Sequence, residues 1–258
     1  MESKPTKLRV LCLYGMNNTI ESFQLMTEPL RERYGNLIEF VYINGPILLD
    51  PEVYPPEAGF LKKGIKGPFR AWLQRYNADD LTTEEKAQIQ RTLQPFGETP
   101  DDKGYMTGFD ESLQTLIKAF REQGPFDGVL SFSQGSSMYR YFNWWTQVKK
   151  REEHRDIKLP RFHMMFAGTT YVNAMVKVDG VWYRHGDHPC QIETLHVYGK
   201  KDPFFGLCEA ETLLFKPITV VVHQEGHKIP KEHTPDNQKI IDDFVASKNR
   251  EKNERPKL

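Results

Sequence analysis

A serine between an apolar run and a helical pattern is the strongest chemical signal in this sequence. The segment Ser131-Phe132-Ser133-Gln134-Gly135 directly follows the apolar run Phe126–Leu130. A nucleophilic serine on a sharp strand-to-helix turn needs small residues two positions away on each side, because the turn brings them against its own backbone. Gly135 meets that need fully and Ser131 nearly so. The pattern predicts that Ser133 is a nucleophile, and a plain helix-capping serine is the alternative.

Two backbone amides are predicted to bind the oxyanion that an attack by Ser133 would create. The Gln134 amide begins the following helix and points to where negative charge would develop. The second donor is expected in the loop after the first strand, where Gly15 allows a tight turn and the Met16 amide can face Ser133.

A carboxylate and a histidine follow Ser133 in the order that a triad on an α/β sheet requires. A serine becomes an effective nucleophile when a histidine takes its proton and a carboxylate fixes the histidine tautomer. Asp202 follows the apolar run Thr194–Tyr198, and His227 follows the apolar run Ile218–His223. Singly, an Asp-Pro turn and a surface histidine are the ordinary alternatives. Together, in these loops and this order, they predict the triad Ser133, Asp202 and His227.

The remaining titratable clusters favour neither a metal site nor a cofactor. Asp187 is a second possible carboxylate, but it follows no predicted strand, and Cys12 falls in a predicted buried strand as a core residue. Two sets of side chains could be read as metal ligands, and neither has a recognised zinc spacing with a fourth partner. These sets are His185, His188 and Cys190, and His223, His227 and His233.

Composition bounds the partners and the compartment. Lysine plus arginine equals aspartate plus glutamate, at 35 each, so charge gives no reason to expect nucleic acid or an anionic membrane as a partner. The apolar run Leu8–Tyr14 is too short to span a membrane and has no cleavage site after it. Three cysteines without a CxxC pair indicate a reducing compartment, by default the cytoplasm.

The sequence carries weak signals for targeting and for assembly. Residues 256–258 read Pro-Lys-Leu and differ from the peroxisomal Ser-Lys-Leu signal at their first position, so peroxisomal import is not expected. No heptad or exposed apolar stripe argues for a dimer, and the oligomeric state is left open.

The elements that must position these residues alternate between short apolar runs and helical patterns. That rhythm is typical of a mostly parallel sheet flanked by helices. The pattern predicts one α/β domain over residues 1–247 and a polar, flexible tail over 248–258. The predicted strands are Leu8–Tyr14, Ile38–Ile43, Phe126–Phe132, Arg161–Ala167, Thr194–Tyr198 and Ile218–His223. The predicted helices of this core are Ile20–Tyr34, Phe109–Gln123, Gly135–Glu153 and Thr234–Ala246, while Tyr171–Pro189 is left unassigned.

Residues 44–107 interrupt this alternation, and we interpret them as a cap-like excursion over one end of the sheet. Seven prolines rule out a long regular element there. Two short helices are predicted in it, Pro68–Tyr76 and Thr83–Leu93. The aromatic residues Phe60, Phe69 and Trp72, together with Tyr14, are predicted to wall an apolar substrate pocket; packing of the excursion on the sheet is the alternative.

With these residues in hand, the chain resembles the FSH-type serine hydrolases, the group that includes fungal FSH proteins and the human ovarian-cancer-associated hydrolase. The similarity spans most of the chain, and the combination of segments is specific although no single segment is. The segments that carry it are Leu11–Gly15, Gly67–Trp72, Phe126–Gly135, Leu195–Pro203 and Gly226–Pro230.

The resemblance implies an α/β-hydrolase fold and cleavage of short- or medium-chain esters or thioesters through an acyl-enzyme. It assigns Ser133 as nucleophile, His227 as base and Asp202 as the orienting carboxylate, with the amides of Gln134 and Met16 as the oxyanion hole. Two positions depart from the family pattern. The family usually has histidine where this chain has Tyr14, and glycine where it has Ser131.

Two hypotheses of different classes follow. The first is an active hydrolase that takes a small-molecule acyl ester or thioester. The second is a hydrolase fold retained as a binding or structural component of a larger assembly, with weak or absent catalysis, since a fold does not fix a function.

Overall fold

A computed structural model describes residues 6–169, 174–184 and 189–254 of the chain. The strands in these ranges are β1 (Leu8–Leu13), β2 (Ile38–Tyr42), β3 (Ile47–Leu48), β4 (Arg70–Ala71), β5 (Gln74–Tyr76), β6 (Gly104–Thr107), β7 (Gly128–Phe132), β8 (Phe162–Phe166), β9 (Ala174–Val178), β10 (Val181–Arg184), β11 (Glu193–Gly199) and β12 (Ile218–His223). The helices are α1 (Ile20–Met26), α2 (Glu28–Tyr34), α3 (Ala58–Lys62), α4 (Thr83–Leu93), α5 (Phe109–Gln123), α6 (Gln134–Trp144), α7 (Phe205–Thr212) and α8 (Pro235–Glu254).

A six-stranded parallel sheet forms the core, in the order β12-β11-β8-β7-β1-β2. Strands β7 and β8 are buried along their whole length, because helices cover both faces of the sheet. The carboxyl ends of parallel strands meet at one edge, and the loops after β1, β7, β11 and β12 therefore lie there together. The predicted fold class, a mostly parallel sheet flanked by helices, is confirmed.

The excursion contributes to a second, smaller lobe. Strands β3 and β4 pair with each other, and β5 and β6 join a four-stranded sheet in the order β10-β9-β6-β5. Strands β9 and β10 come from the stretch that the sequence pattern left unassigned, and they turn at Asp179 and Gly180, both with positive φ. The lobe is thus built from two separate segments of the chain. Its core is Leu81, Ile89, Leu93, Tyr105, Met175 and Trp182.

Two predicted helices differ from the structure near the edge of the sheet where the parallel strands end. The single helix Ile20–Tyr34 is wrong, because the chain breaks at Thr27 and restarts as α2 with Pro29, which has no N–H to donate, in its first turn. The helix Pro68–Tyr76 is also wrong. There the amides of Trp72 and Leu73 bond to the side chain of Gln134 instead of to a helix, and short strands β4 and β5 form.

Helices α6 and α8 differ from prediction in length. Helix α6 ends at Trp144. The chain then forms a π-helical turn over Trp145–Lys149 and a 3-10 turn over Arg151–His154. Helix α8 runs to Glu254, since the buried Lys248 ammonium bonds to Glu193 and Glu251. The expected flexible tail is therefore wrong for residues 248–254, and residues 255–258 lie outside the described ranges.

In the ranges that the structure describes, each helix is too short or too polar to cross a bilayer. Cys12, Cys190 and Cys208 are all buried as free thiols. Burial raises the pKa of the Cys12 thiol well above its usual value, so Cys12 stays a neutral core residue, as the sequence predicts.

Candidate active site

Ser133 occupies a strained turn between β7 and α6. Its φ of 50° and ψ of −121° lie in a region that residues with a side chain rarely adopt. The Ser133 amide donates to the carbonyl oxygen of Phe166 on β8 at 3.1 Å, which holds the turn in place. A side chain at Gly135 would collide with the carbonyl oxygens of Leu13, the last residue of β1, and of Tyr14 after it. The small residue expected at this position is therefore a steric requirement.

The loop after β1 is tied down where the second oxyanion donor is expected. A Cβ at Gly15 would lie 2.9 Å from the Phe132 ring, so only glycine lets this loop approach the nucleophile turn so closely. The Asn18 side-chain amide donates to the Met16 carbonyl oxygen at 3.1 Å, and its oxygen accepts from Ser22 Oγ at 2.9 Å. These bonds fix the peptide between Met16 and Asn17, directly after the expected donor amide.

The Gln134 side chain is engaged away from the nucleophile. Its Oε1 accepts from the amide of Trp72 at 2.8 Å and of Leu73 at 3.2 Å, and its Nε2 donates to the Leu73 carbonyl oxygen at 2.9 Å. The excursion and the start of α6 are locked together by these three bonds. The backbone amide of Gln134 lies in the first turn of α6.

Asp202 and His227 meet in a buried charge-assisted hydrogen bond. His227 Nδ1 lies 2.7 Å from Asp202 Oδ2, and the Asp202 side chain is 0% exposed. An ionised carboxylate only accepts, so Nδ1 carries the proton that it donates, and Nε2 is left as the acceptor. The other oxygen, Asp202 Oδ1, accepts from the Phe204 amide at 2.8 Å. The carboxylate is thereby held in one orientation.

Ser133 and His227 line the same open cavity of about 530 Å³. The described atoms show no hydrogen bond between Ser133 Oγ and the imidazole, an arrangement that is common in enzymes without substrate, where this bond tightens on binding. Two aromatic rings hold the imidazole. The ring centroid of His227 lies 4.9 Å from that of Phe132 and 5.1 Å from that of Phe204.

Of the four residues predicted to form a substrate pocket, Phe60 lines this cavity. Among the described residues that line the cavity, the other three do not occur, because their side chains are buried against other parts of the protein. Trp72 is fully buried and donates its Nε1–H to the Tyr14 carbonyl oxygen at 2.9 Å. Phe69 packs with Phe60 and Ile65 in a small separate cluster. Trp72 and Tyr14 thus join the excursion to the end of β1, and Phe69 packs against Phe60 and Ile65.

Tyr14, the first departure from the family pattern, is buried at the start of the loop after β1. Its hydroxyl donates to Asn44 Oδ1 at 3.2 Å and accepts from the Gly45 amide at 2.7 Å. Burial raises the pKa of the Tyr14 hydroxyl to about 12, so it remains neutral. Tyr14 therefore fastens the start of the excursion and leaves the cavity free.

Several cavity residues were missed by sequence reasoning. Phe204, which is 45% exposed, and Phe132 flank the imidazole, and Thr169 and Asn17 lie on the cavity wall. Cys208 on α7 approaches Asp202 Oδ2 with its Sγ at 4.0 Å, and burial raises its pKa to about 12, which keeps it a thiol. Phe132 is one residue from Ser133 and Phe204 is two residues from Asp202, and that adjacency was the only signal available.

The metal-ligand sets weighed in the sequence can be placed in part. His185, Asp187 and His188 lie outside the described residues. His223 and His233 have ring centroids 6.5 Å apart, and His227 is engaged with Asp202. Across the described ranges, no cluster of three or more histidine, cysteine, aspartate or glutamate side chains could hold a metal ion.

Comparison with known proteins decides the family. The family model described as "Serine hydrolase (FSH1)" matches residues 1–239. The chain belongs to this serine hydrolase family. It is 28% identical to esterase C25G4.2 of Caenorhabditis elegans, over 89% of each protein, and 27% identical to esterase OVCA2 of Homo sapiens, over 92% of this chain and 97% of the relative.

Solved structures agree on the fold. The crystal structure of esterase PE8 superposes with a TM-score of 0.51 at 14% identity, covering 94% of this chain and 93% of PE8. The resemblance seen in the sequence is confirmed: this member of the FSH1 family is a hydrolase with the α/β-hydrolase fold. Family and relatives together support ester hydrolysis in general.

Proposed function

We propose that this FSH1-family protein cleaves carboxylic esters or thioesters of small molecules through an acyl-enzyme on Ser133. The observation that carries the proposal is the 2.7 Å hydrogen bond between His227 and the buried Asp202 carboxylate. His227 and Ser133 line the same cavity. A neutral imidazole with its Nδ1–H donated to a carboxylate has the one tautomer that can take a proton at Nε2.

The proposed reaction has two halves. His227 Nε2 takes the Ser133 hydroxyl proton as Oγ bonds to the substrate carbonyl carbon, and the amides of Gln134 and Met16 bind the oxyanion. Collapse breaks the bond to the leaving alcohol or thiol, which receives the proton from His227. Water then attacks the acyl-enzyme by the same route, and the acid leaves with Ser133 restored.

The strain at Ser133 supports the role of nucleophile. A backbone with φ of 50° costs free energy and needs the surrounding structure to maintain it. Here the bond to Phe166 and the glycine contact at position 135 maintain it. A serine used only to cap a helix requires no such conformation, and Ser133 makes no side-chain capping bond to α6.

The alternative of a catalytically weak or inactive binding component rests on the departures at Tyr14 and Ser131, on the long excursion and on the charged tail. Both departures are accommodated behind the cavity: Tyr14 bonds to Asn44 and Gly45, and Ser131 is fully buried. Neither side chain displaces a triad group, so the specific observations favour the active hydrolase.

The proposed setting is a reducing cytoplasm, since the three cysteines are free and buried. The proposed partner is the small-molecule acyl substrate alone. The balanced charge of 35 basic and 35 acidic residues still gives no reason to add nucleic acid.

Trapping the acyl-enzyme tests the proposal. The purified protein is mixed with a p-nitrophenyl ester and, separately, with a thioester of the same acyl group, and is quenched with acid within the first turnover. Mass spectrometry of the digest should find the same acyl mass on the peptide that contains Ser133 from both substrates, and no acyl mass there in Ser133→Ala. Acylation at another residue, or turnover that persists in Ser133→Ala, would refute the proposal. Acylation by the ester only would restrict it to esters.

A further inference from the structure

Directly behind the nucleophile lies a buried polar cluster that the proposed reaction does not use. Ser131 Oγ is 2.6 Å from His163 Nε2 and 2.7 Å from Ser136 Oγ. All three residues are 0% exposed. Buried polar groups are costly unless they are paired, so a cluster at this place in the core calls for a reason.

The cluster joins the three elements that form the nucleophile turn. Ser131 is on β7, two residues before Ser133, and Ser136 is in the first turn of α6, three residues after it. His163 is on the neighbouring strand β8, where it pairs with Val129 and shares a sheet face with Ser131. The two short hydrogen bonds therefore connect β7 to α6, on either side of Ser133, and connect β7 to β8.

The chemistry of His163 gives these bonds a direction. Burial lowers the pKa of His163 to about 3, so the imidazole is neutral and has one N–H. Its Nδ1 has no partner among the described residues. A buried nitrogen without a partner is tolerated better as an acceptor than as a donor, which puts the proton on Nε2. His163 then donates to Ser131 Oγ, and Ser131 donates to Ser136 Oγ.

We propose that the chain His163–Ser131–Ser136 is a positioning network that holds Ser133 in its strained, reactive conformation. The proposal rests on the function proposed above and concerns the same site. The family pattern has glycine where this chain has Ser131, and a glycine would make neither bond. In this protein the two hydrogen bonds of Ser131 add rigidity next to the turn that holds Ser133.

The test separates positioning from stability. Ser131→Ala keeps the Cβ and removes both bonds. It is expected to lower kcat about 10- to 100-fold and to change KM less than about twofold, because a slightly displaced nucleophile loses reactivity more than the site loses binding. The kcat is expressed per active site, with the sites titrated by a fluorophosphonate. His163→Leu should give the same loss. His163→Gln, whose amide nitrogen can replace Nε2–H, should restore kcat to within about threefold of wild type.

A matched control removes a buried hydroxyl elsewhere in the sheet. Thr194 is fully buried and bonds to the Ile192 carbonyl oxygen at the opposite, amino end of β11. Thr194→Val should leave kcat per titrated site unchanged, even if it lowers the melting temperature.

The outcomes are distinct. A wild-type protein that labels and turns over, with Ser131→Ala and His163→Leu showing wild-type kcat, overturns the network while leaving the proposed function standing. A loss in Ser131→Ala and His163→Leu that His163→Gln fails to rescue also overturns it. A folded wild type with neither labelling nor turnover overturns the proposed function and the network with it.

Discussion

At the scale of single residues, the two oxygens of Asp202 have separate partners. One accepts from His227 Nδ1 at 2.7 Å, and the other accepts from the Phe204 amide at 2.8 Å. The second bond fixes the carboxylate plane, so the first can fix the imidazole. Phe204 also places its ring 5.1 Å from the imidazole, and the Asp-Pro-Phe turn thus holds the base by two different contacts.

Asp202→Asn should leave the fold intact and remove most of the activity. An amide can donate to Nδ1 and so stabilise the wrong tautomer, and the same change in the triad of a serine protease lowers kcat about 10⁴-fold. We expect a loss of at least about 10³-fold here, measured as ester turnover per molecule with an unchanged circular dichroism spectrum. Asp236→Asn, in the first turn of α8, is the control that should keep full activity. Comparable activity in both variants would contradict the role of Asp202.

Gly135→Ala should disturb the nucleophile turn. The added methyl group would meet the carbonyl oxygens of Leu13 and Tyr14, which are backbone atoms of a central strand and of the residue after it and cannot move aside. Overpacking of this kind should lower the free energy of unfolding by about 2 kcal/mol and slow fluorophosphonate labelling.

Gly206→Ala is the matched control, because a Cβ at Gly206 in α7 meets nothing within 4 Å. It should raise the free energy of unfolding by about 0.5 kcal/mol, as alanine favours helix. Chemical denaturation measures both. Equal stability of the two variants would show that the close approach at position 135 is unimportant.

At the scale of elements, a buried ion pair links the helix after the nucleophile to the helix after the carboxylate. Arg140 on α6 and Glu211 on α7 are 1% and 0% exposed in their side chains, with Nε and Oε1 at 3.2 Å. Burial of either charge is costly unless the opposite charge lies beside it. The pair therefore fixes the distance between α6 and α7, which follow Ser133 and Asp202.

Glu211→Gln should remove the negative charge beside the buried Arg140 and lower the free energy of unfolding by about 3 kcal/mol. Asp243→Asn is the control. It removes one partner of the exposed pair Lys239–Asp243 in α8, whose side chains are 74% and 66% exposed, and should change stability by no more than about 0.5 kcal/mol. Urea denaturation of both variants checks this. A small effect in Glu211→Gln would contradict the coupling of the two helices.

Elements with local signals could be predicted from the sequence. Helix α4 has its predicted bounds and is capped locally by hydrogen bonds between Thr82 and Glu85, and β12 also has its predicted bounds. Elements set by distant contacts could not. The strands β4 and β5 depend on bonds from Gln134, and α8 extends because Lys248 finds Glu193 on β11. No local pattern contains that information.

The same distinction explains the candidate site. Ser133, Asp202 and His227 follow strands whose ends lie at one edge of a parallel sheet, so their order along the chain predicts that all three lie at that edge. In the structure Asp202 bonds to His227, and Ser133 lines the same cavity as His227.

The pocket wall depends on how the excursion folds back, and Trp72 is used to bond Tyr14 instead. The sequence marks Ser131 only as a departure from the family pattern. Its partner His163 lies on another strand, and nothing near it in the sequence indicated the bond.

At the scale of the whole molecule, two buried histidines make stability depend on pH. Burial lowers the pKa of both His163 and His196 to about 3. His196 Nε2 accepts from the Gly168 amide at 3.2 Å, a bond that protonation would remove. Above about pH 6.5 both are neutral whether folded or unfolded, and they add no pH dependence. Below that, the unfolded chain binds protons that the folded chain refuses, so stability is lost as the pH falls from about 6.5 towards 3.

His196→Gln should make this dependence shallower. The variant loses one proton-binding group in the unfolded state, so the slope of unfolding free energy against pH between 6 and 4 should fall by about 1.4 kcal/mol per pH unit relative to wild type. Chemical denaturation at pH 6, 5 and 4 measures the slope, and the carboxylates titrate equally in both proteins. Parallel curves for the two proteins would mean that His196 does not stay neutral in the fold.

The most direct test of the central claim is labelling of the purified protein with a fluorophosphonate probe. If Ser133 is activated by His227, wild type should label rapidly, Ser133→Ala not at all and His227→Ala little, with all three proteins folded. That result requires an activated serine and the base that activates it. A folded wild type that does not label, or labelling that persists in Ser133→Ala, would contradict the assignment of Ser133 as the nucleophile.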